Sequence, residues 1–349
     1  MMSASASPRA IDHEAYAAAR ARQAQLTKPA GALGRLEDAA CWFAARQGGA
    51  IPAALVPAIT VFAADHGVAA HGVSAYPREV TAQMAANFAR GGAAINVLAR
   101  TIGARLRVVD AGVAAPLDSL PEIVHAKVRS GTADLLTGPA MSRQETERAL
   151  ALGAECAAAD IAAGANLLIA GDMGIANTTP SACLICAFTG EPPEAIAGRG
   201  TGLDEAGWRR KVEVVARALT RARARRPQDG IGWLCEVGGL EIAAMAGYYL
   251  DAARRGVPAL LDGFIASAAA LAARAIEPRA VDWLLASHVS SEHGHAAALR
   301  HLGLAPLVDL GLRLGEGSGA AVCVPLLQAA IALHAQMATF SEARVAGPA

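Results

Sequence analysis

The run NLLIAGDMGIANTTPSACL, Asn166–Leu184, decides the architecture. Asn166 to Ala170 is a short apolar stretch that reads as a strand. Gly171 and Gly174 then bend the chain, Asn177, Thr178 and Thr179 add polar groups, and a helix is expected from near Pro180. The same order recurs after Ala58–Ala63, Leu106–Val109, Ala259–Leu261 and Val281–Ala286, each followed by a loop of Gly, Asp, Ser or His. Most of those loops lead into Ala-rich helical patterns. Repeated strand, loop and helix imply an α/β fold, a mostly parallel sheet with helices on both faces. In such sheets the binding residues lie in loops beyond the carboxyl ends of the strands.

Outward from this core, residues 1–50 and 317–349 read as helices without strands. They are expected to pack as a small helical domain beside a large α/β domain at 51–316. Hydrophobic residues make up 54% of the 349 but aromatics only 4%, so the core must be built from Ala, Val, Leu and Ile. The formal net charge is zero, so nothing global draws the chain to nucleic acid or to an anionic membrane. The five arginines between Arg217 and Arg226 suit a solvated helix end better than a nucleic-acid patch. Six scattered cysteines show no disulfide spacing, which fits a reduced, cytoplasmic setting, and Cys183 and Cys186 read as small buried residues one helical turn apart. The Ser-, Ala- and Arg-rich N-terminus holds Asp12 and Glu14 and lacks an apolar core segment, so a solvated helix is expected there. Gly317 to Ser341 carries no charge, yet Pro325, Gln328, His334 and Gln336 interrupt it, and a buried helix is expected rather than a membrane span.

Five loops could carry chemistry. After Ala63, AADHGVAAHGVSAYPREVTAQMAANF sets Tyr76, Met84 and Phe88 near the amide of Gln83, which suits a flat aromatic ligand and equally suits core packing. In GDMGIANTTPSACL, small residues at a helix N-terminus offer N–H groups and hydroxyls to a phosphate, or simply cap the helix. AGRGTGLDEAGWRRK, from Ala197, is Gly-rich but is not a GxxxxGK[ST] phosphate loop. SHVSSEHGH, from Ser287, gathers His288, His293, His295 and Glu292. Their spacing fits no HExxH metal site, and Ser290 and Ser291 suit phosphate or ribose. In LGLRLGEGSGAA, Glu316 stands between Gly315 and Gly317, either solvated or placed for work.

Taken in order, TKPAGALGRLE, DHGV, SAYPREVTAQM, GGAAINVLAR, GDMGIANTT, GRGTGLD, EVGGLEIAAMAG, LDGFIASAAAL, SHVSSEHGH and LGLRLGEGSGAA resemble the nicotinate-nucleotide–dimethylbenzimidazole phosphoribosyltransferase family over roughly Leu26 to His334. The resemblance implies a Rossmann-like domain with a small helical one, a homodimer, and no metal or cofactor. It implies transfer of the phosphoribosyl group of nicotinate mononucleotide to 5,6-dimethylbenzimidazole. It places the general base on Glu316, with Asp172 and Lys211 beside it. The benzimidazole pocket falls on Tyr76, Pro77, Gln83 and Met84. Phosphate and ribose contacts fall on Gly174, Asn177, Thr178, Thr179, Gly200, Thr201, Gly202, Ser290 and Ser291. Two residues depart from the family's GEMGIGNTT: Asp172 replaces Glu, and Ala176 replaces Gly, harmlessly only if its φ is negative. The paired acids of diphosphate-dependent phosphoribosyltransferases are missing, Asp110 standing alone after its strand. Another acceptor (adenine, a phenol or water) or a non-catalytic nucleotide-binding module remain the alternatives.

Overall fold

In the computed structural model, which describes residues 7–347, helices α1 (His13–Gln25) and α2 (Arg35–Gln47) precede the first strand. Residues 1–6 and 348–349, the extreme ends of the two segments read as helical, lie outside the described residues. The chain continues through β1 (Pro57–Ala64), α3 (Val80–Ala89), α4 (Ala94–Ile102), β2 (Arg105–Gly112), β3 (Ile123–His125), α5 (Arg143–Ala162) and β4 (Leu167–Met173). Next come α6 (Thr178–Thr189), α7 (Pro193–Ile196), α8 (Glu205–Ala224), α9 (Gly230–Val237), α10 (Leu240–Arg255), β5 (Ala259–Leu261) and α11 (Phe264–Ile276). It closes with β6 (Leu284–Ala286), β7 (His288–Val289), α12 (His295–Leu302), β8 (Val308–Asp309), α13 (Ser318–Gln336) and α14 (Phe340–Ala343).

Six strands form one parallel sheet in the order β3-β2-β1-β4-β5-β6, and β7 pairs with β8 apart from it. This is the Rossmann order, and its direction reverses between β1 and β4. Every residue of β1 is buried, because helices cover both faces. Its side chains alternate between two cores. Ala58, Phe62 and Ala64 face α5, α6, α10 and α11, while Ile59, Val61 and Ala63 face α2, α4 and α13. Helix α13 is long and apolar enough to cross a membrane, but Ala320, Val324, Leu327 and Ile331 pack with Ile59 and Ile169 on the sheet. It is a core helix, as its sequence suggests.

Helices α5 and α10 cross closely. A Cβ on Gly153 would stand 1.7 Å from the carbonyl of Ala244, and one on Gly247 would stand 1.9 Å from that of Leu150. Below them Asp160 accepts from the hydroxyls of Thr60 and Tyr248, both at 2.8 Å, so these two buried hydroxyls are satisfied.

Three strand boundaries differ from the sequence reading. Strand β4 runs to Met173, so Asp172 lies in the strand and faces Phe62 in register. Asp110 likewise lies inside β2, accepting from the Val113 N–H at 2.8 Å. Residues Pro278–Trp283 form a 3-10 turn, with Glu277 capping Arg279 N–H, which leaves only Leu284–Ala286 for β6.

Candidate active site

A cleft of about 490 Å³ opens at the carboxyl ends of the strands, beside the β1/β4 reversal. The loops after β1, β4, β5 and β7 and the segment before α13 all reach it. Of the residues singled out in the sequence, Tyr76, Met84, Asp172, Gly174, Asn177, Thr178, Gly200, Thr201, Ser290 and Glu316 line this cleft. Gly202 and Ser291 border an adjoining cleft of about 610 Å³. Pro77 and Gln83 are exposed outside both linings, and Thr179 is buried behind them. Phe88 belongs to the core. One wall of the main cleft is apolar, from Tyr76, Val80, Met84, Phe264, Ile265 and Leu314. Such a wall with few polar groups suits a flat heteroaromatic ring.

Glu316 sits on the floor at 5% exposure, its Oε2 accepting from the Ile95 N–H at the start of α4 at 3.2 Å. Its φ is +64°, between Gly315 at +86° and Gly317 at +84°. A non-glycine residue in this left-handed region costs on the order of 1–2 kcal/mol, so the surroundings must impose it. Two features do. Gly171 lets the Glu316 backbone press on β4, since a Cβ there would stand 2.2 Å from the Glu316 carbonyl oxygen. Asp262, after β5, accepts from the N–H groups of Gly317 at 3.2 Å and Ala320 at 3.0 Å, fastening the start of α13. Burial raises the Glu316 carboxyl above its usual range, the Ile95 N–H pulls it back, and the charge of Asp262 pushes it up again. A buried carboxylate of raised basicity has the properties of a general base.

On the other side Lys211, fully buried on α8, donates from Nζ to Thr178 Oγ1 at 2.8 Å and to the Gly198 carbonyl at 3.1 Å. It makes no ion pair among the described residues. Burial drives its pKa down to about 8, with Glu292 partly opposing. A cation buried one layer behind Thr178 and Gly200, at the N-terminus of α6, favours an anionic ligand.

Comparison with known proteins gives the family of the whole chain. A phosphoribosyltransferase family model, DBI_PRT, matches residues 9–345. The nicotinate-nucleotide–dimethylbenzimidazole phosphoribosyltransferase of Chromobacterium violaceum is 62% identical over 341 residues, 98% of each chain. That of Pseudomonas aeruginosa is 51% identical, covering 97% of this chain and 96% of the relative. The crystal structure of CobT from Thermus thermophilus superposes with a TM-score of 0.92 at 51% identity, covering 96% of this chain and 100% of that one. The chain belongs to the nicotinate-nucleotide–dimethylbenzimidazole phosphoribosyltransferase family.

Against the family's GEMGIGNTT pattern, both departures have structural consequences. Ala176 has φ +73°, so the condition under which it would be harmless is not met, and its Cβ sits in a conformation glycine adopts freely. Asp172 Oδ2 accepts from Asn177 Nδ2 at 2.8 Å. Burial first, then the charge of Asp262, drives its pKa up to about 8, so near neutral pH it carries a proton. Burial raises both cleft carboxyls, and Asp172 as far as about 8.

Asp262 and Glu241 escaped the sequence reading. Glu241 is fully buried on α10, its Oε1 2.7 Å from His66 Nε2 behind Gly174. Both acids sit alone in apolar stretches, and a charged residue with no helical or strand partner in sequence was the available sign. Two of the histidines after β6, His288 and His295, are tied into their loop by hydrogen bonds. His295 Nδ1 accepts from the Ser290 N–H at 2.7 Å and Nε2 meets Ser267 Oγ at 2.9 Å, burial lowering its pKa to about 3. His288 Nδ1 meets Ser287 Oγ at 2.9 Å, and among the described residues no three His, Cys, Asp or Glu side chains gather as metal ligands. Cys183 and Cys186 are buried, which raises both thiols, as expected of packing residues.

Proposed function

We propose that this enzyme transfers the phosphoribosyl group of nicotinate mononucleotide to 5,6-dimethylbenzimidazole, giving α-ribazole 5′-phosphate and nicotinate, the step that builds the lower ligand of cobalamin. One observation carries the reading: Glu316, buried, with raised basicity, faces an apolar cleft wall across from a buried cation. The phosphate lies toward Thr178, Gly200 and Lys211. The acceptor ring lies on the Tyr76 and Met84 wall. One benzimidazole nitrogen attacks C1′ opposite the departing nicotinate, and the C1′–N bond breaks with its electrons passing to the cationic ring nitrogen. The other benzimidazole N–H, acidified as the new bond forms, gives its proton to Glu316. Protonated Asp172 keeps a second negative charge off the floor beside the base. Positioning of both rings supplies much of the rate.

The reaction needs no nucleic acid or membrane, and the free thiols suit a reducing cytoplasm. A homodimer is part of the proposal, supported by the exposed Leu310 and Leu314, at 57% and 58%, beside the cleft mouth. The decisive experiment follows nicotinate release from nicotinate mononucleotide with and without dimethylbenzimidazole and identifies the ribosylated product. Acceptor-dependent release with an α-linked ribotide is expected. Release without acceptor identifies a hydrolase, preference for adenine or a phenol changes the acceptor, and binding without release identifies a nucleotide-binding module.

A further inference from the structure

Glu292 has no role in the chemistry above, yet it is buried to 9% exposure on the border of both clefts. It lies in the loop between β7 and α12, its backbone N–H donating to Ser290 Oγ at 3.3 Å. Its Oε2 is buried and accepts no hydrogen bond. The carboxylate reaches across to the opposite wall at Gly198, where a Cβ would stand 2.3 Å from Oε2. Lys211 feels its charge, but the Lys211 ammonium is bonded to Thr178 and Gly198 instead. A buried carboxylate oxygen without a donor is costly, and a chain that keeps one at a cleft wall has a ligand donor to place there.

The chemistry of that donor is constrained. A phosphate or the nicotinate carboxylate would be repelled. What remains in a phosphoribosyl donor is neutral and hydroxylic, the 2′- and 3′-hydroxyls of the ribose, a vicinal pair that two carboxylate oxygens accept together. With the phosphate near Lys211 and C1′ near Glu316, the ribose lies between them, and Glu292 is on that side. We infer that Glu292 accepts the ribose hydroxyls and makes the site reject deoxyribose donors; this rests on the proposed reaction. A site built to hydrogen-bond a hydroxyl penalises the analogue lacking it heavily, because its own polar group is left unpaired.

Two measurements separate this inference from the reaction itself. In the first, kcat/KM is compared for nicotinate mononucleotide and its 2′-deoxy and 3′-deoxy analogues in wild type, Glu292→Gln and Glu292→Ala. The intrinsic reactivity of each donor is common to all three proteins and cancels between them. Wild type is expected to favour the ribo donor over at least one deoxy analogue by about 100-fold. Glu292→Ala should reduce that ratio to within about fivefold by losing the ribo donor, and Glu292→Gln, which keeps one acceptor oxygen, should fall between. In the second, which involves no turnover, thermal shifts by ribose 5-phosphate and 2-deoxyribose 5-phosphate are compared in the same proteins. Wild type should prefer the ribose sugar and Glu292→Ala should not. A Glu292→Ala protein that discriminates as wild type does, or a wild type that treats ribo and deoxy ligands alike, overturns the assignment. Preference for the ribose sugar without nicotinate release would overturn the reaction and leave the role of Glu292 standing.

Discussion

At the residue scale, the two cleft carboxyls answer to different measurements. Replacing Glu316 with Gln keeps its shape and its acceptor for Ile95 but removes the base. Turnover is expected to fall by about 10²- to 10⁴-fold while KM for the nucleotide changes little. An unchanged kcat would take Glu316 out of the chemistry. Because its carboxyl titrates above its ordinary 4.5, wild-type kcat should fall on acidification with an apparent pKa higher than that value. Asp172 is a matter of stability. Its pKa is about 8 in the fold against an ordinary 3.8, so the native state holds a proton that the unfolded chain has lost. Stability from this group is complete below the unfolded value and declines as pH rises toward 8, by about 1.4 kcal/mol per pH unit. Asp172→Asn keeps an acceptor for Asn177 and does not titrate. Its urea midpoint should gain on wild type progressively from pH 5 to pH 8, and a pH-independent difference would contradict the assignment.

At the element scale, legibility depends on how completely each strand is covered. Strands β1 and β4 show by their largely apolar runs because helices cover both faces, and Ala259–Leu261 coincides with β5 for the same reason. Strands β3, β7 and β8, of 3, 2 and 2 residues, carry too little pattern to be seen. By pattern alone the polar Asp172 falls beyond the strand, whereas in a parallel sheet the carboxyl end can run into the site itself. The position of Glu316 between glycines is plain in sequence, but its bond to Ile95, its clamp by Asp262 and its contact with Gly171 join segments far apart in the chain. The α5/α10 crossing is equally invisible, since Gly153 and Gly247 look like any helical glycines until the helices meet. Neither can gain a Cβ without parting the helices. Gly247→Ala should therefore destabilise the protein by about 1–3 kcal/mol despite its better helix propensity. Equilibrium urea unfolding reads this directly, and a stabilised variant would mean that the crossing is looser than the structure has it.

At the scale of the whole molecule, the cleft is drawn from loops between Tyr76 and Glu316, so a ligand bridging them ties distant parts of the chain together. Binding to the native state alone stabilises it by about 2.7 kcal/mol at a hundred times Kd. For a chain of this size that is on the order of 5 °C in Tm. Nicotinate mononucleotide should produce such a shift and free nicotinate should not, because the phosphate is what answers Lys211. The charged form of Lys211 is the one that attracts phosphate, and its pKa of about 8 means the unliganded protein loses that charge as pH passes 8. The nucleotide shift should therefore shrink between pH 7 and pH 9, with KM for the nucleotide rising over the same interval. Lys211→Met, which fills the same buried space without charge, should show a small shift at both pH values. A shift in Lys211→Met equal to that of wild type at pH 7 would place the phosphate elsewhere in the cleft, whereas a shift lost at pH 7 and absent at pH 9 ties nucleotide capture to this one buried cation.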